Sequence, residues 1–399
     1  MPTPKTPLAS RMSRVRSSPI MDILRQVASG KYVNFASGLP DPALFPAEAI
    51  RRAYSDALAS TGSLQYGSEE GLEPLRAWIA ARLSATGARV ATEEVLVTAG
   101  SQQALDLAAR LLLDPGDVVA VEDPTYAAFL QIADGCEARA VGIPMDDEGM
   151  IVEKLDEMFP PGTTAPKLVF TLPDFQNPTG ISMSVERRRR LVEWGRRRGV
   201  PLLEDGAYAS LRYEGERRPS LLDLAAGGGG VLSTGTFSKT IAPGLRVGWI
   251  AGERSLVARI AHLKQAADIQ TSTTAQTATL RYLEAGGHDA HVESLRRTLD
   301  ARRRRLLAGL EERLPRGARF TRPAGGMFAW VTLPEGADSG KILSAALERG
   351  VAFVPGRDFH PGDEKSPLTL RLNFASSTPE TIDRGVPLLV EAIRDAAAS

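Results

Sequence analysis

Val231-Leu-Ser-Thr-Gly-Thr-Phe-Ser-Lys239-Thr-Ile-Ala-Pro-Gly-Leu-Arg246-Val-Gly-Trp249 sets a lysine just after a largely apolar run, with hydroxyls before it and an arginine beyond. A run of this kind reads as a strand buried on both faces. Similar runs stand upstream at 95–98, 117–122, 138–143, 167–171 and 201–205, and helical patterns at 104–113 and 126–134 lie between them. Strands alternating with helices predict an α/β fold: a large domain with a mostly parallel central sheet, covered by helices on both faces. Ligands of such sheets sit beyond the carboxyl ends of the strands, so the residues just after each run are the ones to inspect.

The last hundred residues read differently. A long charged helix at 291–314 leads into strands at 319–321, 327–333 and 368–374, a pattern that predicts a smaller α+β domain. The expected division is 1–54 as an N-terminal arm and helix belonging to the small domain, 55–290 as the large domain, and 291–399 as the C-terminal small domain. Residues 1–18 read as a mobile arm, and Ser18-Pro19 caps a short amphipathic helix carrying Ile20, Ile23, Leu24 and Val27. The glycine run 227–230 precedes a strand, so it is no dinucleotide fingerprint, which needs a strand before it and a helix after it.

Lys+Arg and Asp+Glu both number 48, so no net field draws the chain to nucleic acid or to a membrane. The arginine runs 187–190 and 302–305 have acidic neighbours and read as solvated helix faces. Cys136 is the single cysteine; no internal disulfide is possible, and it reads as a small buried residue. The four histidines lack metal-ligand spacing, so no metal is expected. The N-terminus has no apolar signal core and no stretch nears 18 apolar residues, which points to a cytoplasmic protein.

The strand ends carry the chemistry. Gly100-Ser101-Gln102-Gln103 opens a helix, whose free N–H groups suit a phosphate. Tyr126 follows the next strand and brings an aromatic ring to the sheet edge. Asn177-Pro178 makes a turn with a projecting amide. Glu204-Asp205 closes an apolar run, where a buried acid needs a partner; a protonated pyridine nitrogen is one. Lys239 and Arg246 complete the series.

Read together, Ser238-Lys239 through Pro243-Gly-Leu-Arg246-Val-Gly-Trp249, Gln176-Asn177-Pro-Thr-Gly180 and Asp205-x-x-Tyr208 resemble the fold-type-I, pyridoxal-phosphate (PLP)-dependent aminotransferases. The chain is most similar to the class I/II branch that holds 2-aminoadipate and kynurenine aminotransferases and the catalytic domains of MocR-type regulators. The motifs run from Gly38 to Arg371. The resemblance implies that Lys239 carries PLP as an aldimine and moves the substrate proton, in a ping-pong exchange between an amino acid and a 2-oxo acid such as 2-oxoglutarate. It further implies that Asp205 pairs with the pyridinium nitrogen, that Asn177 and Tyr208 bond the phenolic oxygen, and that Tyr126 stacks on the ring. Ser101, Gln102, Thr236, Ser238 and Arg246 would hold the phosphate, joined by Tyr66 from the other subunit of a homodimer with shared sites. Arg371 would grip the substrate carboxylate, with Gly38 and Asn177.

One position departs from the branch. Relatives acting on 2-aminoadipate carry an arginine for the distal carboxylate on the N-terminal helix; aligning Ser18-Pro-Ile-Met21-Asp-Ile-Leu to that helix puts Met21 there. With Phe328 and Leu39, Met21 would form an apolar pocket favouring an aromatic, branched or otherwise uncharged donor. The alternatives on the same scaffold are a lyase, decarboxylase or oxidase, or a ligand-sensing domain of a MocR-type regulator. The last is disfavoured, because only a short arm precedes the pattern that starts near Tyr32.

Overall fold

The computed structural model describes residues 6–15, 19–27, 30–226, 229–362 and 368–398. Strand β1 (Val33–Asn34) pairs with a distant partner introduced below. The central sheet holds β2 (Val95–Thr98), β3 (Val118–Asp123), β4 (Arg139–Asp146), β5 (Gly149–Met150), β6 (Leu168–Thr171), β7 (Leu202–Asp205), β8 (Val231–Thr236) and β9 (Gly248–Gly252). Their order is β2-β9-β8-β7-β6-β3-β4-β5. From β8 to β4 every pairing is parallel. β9 runs antiparallel to both neighbours, and β5 is an antiparallel edge on β4.

Successive side chains alternate between faces, and both faces are covered. Val95 and Val97 join the core that also takes Val169, Leu202 and Val231, whereas Leu96 joins the opposite core with Phe170, Leu203 and Leu232. That double burial explains why these strands read as continuous apolar runs. It also separates the acid pair. Glu204 accepts from the Leu221 N–H at 2.9 Å, at the start of the short helix Leu221–Leu224, while Asp205 faces the other way. Glu204 is thus spent on that helix start, on the face away from Asp205.

A second sheet, in the order β10-β11-β14-β13, is antiparallel: β10 (Arg319–Phe320), β11 (Phe328–Thr332), β13 (Val354–Pro355) and β14 (Thr369–Asn373). β12 (Val351–Ala352) pairs in parallel with β1, which brings the N-terminal segment to this layer. The expected boundary at 54/55 falls inside the helix Ala47–Leu58, whose Ala53 and Ala57 are buried in the core of the large sheet. The boundary at 290/291 falls inside the helix His288–Arg313; Leu299 packs with the large-sheet core and Leu306, Leu307 and Leu310 with the small-sheet core. One rigid helix therefore spans both layers.

Several expectations are corrected. Arg188 has no exposed surface and spends its whole guanidinium on Asp174 and the carbonyls of Pro173, Met183 and Pro219. Arg302 is buried against Asp41 and the Ala375 carbonyl, and Arg303 against Asp300, Glu214 and the Pro323 carbonyl. These three arginines are thus structural, because a guanidinium whose Nη atoms meet carboxylates and carbonyls can be buried. Cys136 is partly buried at a helix end rather than in the core. Of the arm at 1–18, residues 6–15 are described; they hold an exposed 3-10 turn, Ser10–Ser13, and Arg14 donates to the Glu137 carbonyl at 3.0 Å. The helix Pro19–Val27 is present; its expected cap, Ser18, lies outside the described residues, as do Gly227 and Gly228. Among the described residues no cluster of His, Cys, Asp and Glu could hold a metal, and no helix is long and apolar enough to cross a membrane.

Candidate active site

The carboxyl ends of the parallel strands open on one cavity of about 350 Å³. Behind β2, Gly100 turns the chain at φ +88° into the helix Ser101–Leu112. A Cβ there would stand 2.5 Å from Arg246 Nη2, so the glycine is what lets the guanidinium lie across the turn. Arg246 donates to the carbonyls of Ala99 at 2.7 Å and Pro243 at 3.2 Å. Thr236 and Ser238 follow β8 and are linked hydroxyl to hydroxyl at 2.8 Å. With Ser101 and Gln102 these groups all line one end of the cavity, a set of N–H, O–H and guanidinium donors suited to a phosphate.

Asp205 ends β7. It accepts from Thr234 Oγ1 and the Ala207 N–H, each at 3.1 Å, and burial lifts its pKa to about 6 despite those bonds and the nearby Lys239. Tyr208 lies beside it, hydrogen-bonded to the Asn177 side chain, and burial raises its hydroxyl pKa far above the ordinary value. Tyr126 also lines the cavity; its hydroxyl donates to Gln102 Oε1 at 3.2 Å, and burial, then Asp205, push its pKa to about 12.

Lys239 Nζ donates to the Gly38 carbonyl at 3.3 Å and stands 5.9 Å from the centre of the Tyr208 ring. Removal from water lowers its pKa to about 8; Asp205 opposes the shift, while Arg371 and Arg246 add to it.

Arg371 comes from β14, paired with Trp330 and Val354. Its two Nη atoms donate to Asn177 Oδ1 at 2.9 Å and the Ala36 carbonyl at 2.8 Å, while its buried Nε has no partner. The rings of Phe328 and Phe359 flank it at 4.4 and 5.0 Å, and burial lowers its pKa to about 10. Among the described residues no carboxylate pairs with it, so this cation is held by neutral oxygens and rings alone.

The structure thus gathers Gly38, Ser101, Gln102, Tyr126, Asn177, Asp205, Tyr208, Thr236, Ser238, Lys239, Arg246 and Arg371 around one space, with Met21 and Leu39 at its mouth. Phe328 is not in the wall: it sits fully buried behind Arg371 and edge-on to Tyr208, 5.8 Å between ring centres. Tyr66 is 74% exposed and outside the cavity. Sequence reasoning missed Ile20, Leu24 and Phe359 in the wall, and missed Asn373, which donates to the carbonyls of Ser37 and Leu39 and so shapes the Gly38 segment. The alternation of β14 could have shown the last, since Asn373 shares the face of Arg371.

The donor set fits pyridoxal phosphate: anion donors, a buried acid, an amine of lowered pKa and a buried guanidinium without a carboxylate partner line the same cavity. An α/β enzyme with such a cavity is what the fold and site define. The family "aminotransferase class I and II" matches residues 30–389. The chain is 39% identical to aromatic-amino-acid aminotransferase 1 of Thermococcus litoralis, covering 96% of this chain and 92% of that one. It is 36% identical to the 2-aminoadipate transaminase of Thermus thermophilus, covering 96% and 95%. The crystal structure of Pyrococcus horikoshii kynurenine aminotransferase superposes with a TM-score of 0.92 at 37% identity, covering 97% of each chain. The chain belongs to the class I and II aminotransferases. It is a PLP-dependent enzyme that transfers an amino group between an amino acid and a 2-oxo acid.

Proposed function

We propose that Lys239 carries the cofactor and that the enzyme prefers an amino donor with an aromatic, branched or otherwise uncharged side chain, returning the amino group to a 2-oxo acid such as 2-oxoglutarate. The observation that carries this reading is the convergence of Lys239, Asp205 and Arg371 on one cavity whose outer wall is apolar. Bound PLP supplies the electron sink that makes the substrate Cα–H acidic. Lys239 Nζ, with its pKa lowered to about 8, takes that proton and returns it. Asp205 would pair with the ring nitrogen and keep it protonated. Asn177 and Tyr208 would bond the phenolic oxygen, and Tyr126 would cover the ring. Ser101, Gln102, Thr236, Ser238 and Arg246 would hold the phosphate.

Arg371 takes the substrate α-carboxylate, with Asn177 and the Gly38 segment completing the grip; a planar fork matches a carboxylate bidentately. Ile20, Met21 and Leu24, with Leu39, offer the donor side chain only apolar surface. Tyr66, exposed on its own subunit, reaches the phosphate of the neighbouring one in a cytoplasmic homodimer. A donor panel scored by the first half-reaction tests the reading. Uncharged aromatic and branched amino acids should convert the cofactor to its amine form, and a 2-oxo acid should reverse the change. Release of CO₂ or uptake of O₂ without that cycle would assign a different reaction.

A further inference from the structure

Three residues outside the cavity form a chain of hydrogen bonds that ends on the turn before the helix Ser101–Leu112. Lys264 Nζ, on a side chain with no exposed surface, donates to Asp268 Oδ1 at 2.7 Å. Asp268 Oδ2 accepts from Gln103 Nε2 at 2.7 Å, and Gln103 Oε1 accepts from the Ala99 N–H at 2.8 Å. On the other side of that residue, the Ala99 carbonyl accepts from Arg246. Both backbone polar groups of Ala99 are therefore tied, one to this partly buried chain and one to the guanidinium that lies over Gly100.

The direction of the chain matters. A glutamine amide has a donor end and an acceptor end. Reversed, Gln103 would set its NH₂ against the Ala99 N–H and its oxygen against the Asp268 carboxylate. A carboxylate only accepts, so Asp268 dictates which way the amide points. Lys264 holds Asp268 in turn: burial lowers the lysine pKa and Asp268 opposes that shift. The helix Arg254–Asp268 also stops sharply there, because Ile269 takes φ +65°, a value a β-branched residue resists.

We propose that Asp268 is a positioning residue for the cofactor phosphate. Through Gln103 it fixes the Ala99-Gly100 turn, so that the first N–H groups of the helix and Arg246 converge on one anion. The inference rests on the assignment of that helix start and Arg246 as the phosphate seat.

Apoenzyme titrated with PLP and, separately, with pyridoxal tests it, since the two ligands share ring and aldehyde and differ in the phosphate. Asp268→Ala should raise the Kd for PLP about tenfold and leave that for pyridoxal within about twofold. Gln103→Leu should do the same, and the double variant should be no worse than either single one, because the residues act in series. If Asp268→Ala, which leaves Lys264 unpaired, fails to fold, Gln103→Leu carries the comparison with the ion pair intact. Equal losses for both ligands would mark a general structural role and overturn the proposal. So would unchanged PLP affinity in both variants while Arg246→Ala weakens PLP alone. Should Arg246→Ala fail to distinguish PLP from pyridoxal, the phosphate seat itself falls, and this inference with it.

Discussion

The two ends of the cavity are built from different materials. At the inner end, the carboxyl ends of five strands of the large sheet, with β14 of the small one, deliver polar side chains, each pinned by hydrogen bonds: Asp205 by Thr234 and Ala207, Arg371 by Ala36 and Asn177. At the outer end the helix Pro19–Val27 and the Gly38 segment present Ile20, Met21, Leu24 and Leu39, with Met21 and Leu39 more than half exposed. Fixed charges can serve a reaction that all substrates share. A loosely enclosed apolar wall discriminates only through surface area and shape, and one methylene is worth little there. On the proposed assignment, chemistry and choice of substrate reside in different parts of the molecule, and substitutions at each end should fail in different ways.

The sharpest way to break this division is at the inner end. Lys239→Ala should cut turnover by more than about 10⁴-fold and remove the absorbance of the lysine-linked cofactor, with circular dichroism unchanged. Normal transamination by that variant would mean another residue carries the cofactor. Next, Asp205→Ala should slow Cα deprotonation about 10³-fold for every donor alike, as a deuterium-labelled substrate would report. Arg371→Lys keeps the charge but loses the fork, so kcat/KM should fall about 10²-fold for all α-amino acids. At the outer end the effect should be smaller and selective. Met21→Arg should raise kcat/KM for a donor with a distal carboxylate about tenfold relative to leucine, with the half-reaction chemistry unchanged. If it lowered all donors equally, the wall formed by this helix would not be the selective element.

The smallest effect expected is with pH. The folded pKa of Lys239, about 8, lies below the ordinary lysine value, so the folded state sheds this proton first. The neutral amine is present above about pH 8, and the rate at which apoenzyme captures PLP should drop about fivefold between pH 8 and pH 7. The unfolded chain binds the extra proton between about pH 8 and the ordinary value, so this group makes the apoenzyme more stable as pH rises through that window.

Most of the inner end was legible because a parallel sheet imposes its own order. Each strand is a short apolar run, and the residue that follows it falls at the same edge. Asp205, Asn177 and Lys239 could thus be placed at one edge from the strand pattern, and into one site by the family that their motifs resemble. β9 was harder to see: Gly248–Gly252 is a strand of its own, antiparallel between β2 and β8, but it follows the Lys239 motif so closely that it reads as the tail of that motif. The arginine runs misled for a different reason. Charge counts report what a helix carries, not which of its faces meets a buried acid; Arg188 and Arg302 find theirs on other segments, Asp174 and Asp41, and Arg303 pairs with Asp300 one turn back on its own helix. Phe328 misled for another reason: the sequence places it in the substrate pocket, and it does share a sheet face with Arg371, but its ring is packed beneath the guanidinium and against Tyr208 instead of lining the cavity.

What the sequence determined by itself is the set of strand-end residues, because local periodicity fixes where each strand stops, and, through the family its motifs resemble, the reaction. What only the tertiary structure decided is how those residues are held. The face that separates Glu204 from Asp205, the cage of rings and carbonyls around Arg371, and the path from Lys264 to Ala99 all join segments far apart in the chain. Burial and hydrogen-bond partnership are properties of the packed molecule, and no spacing along one strand or helix encodes them.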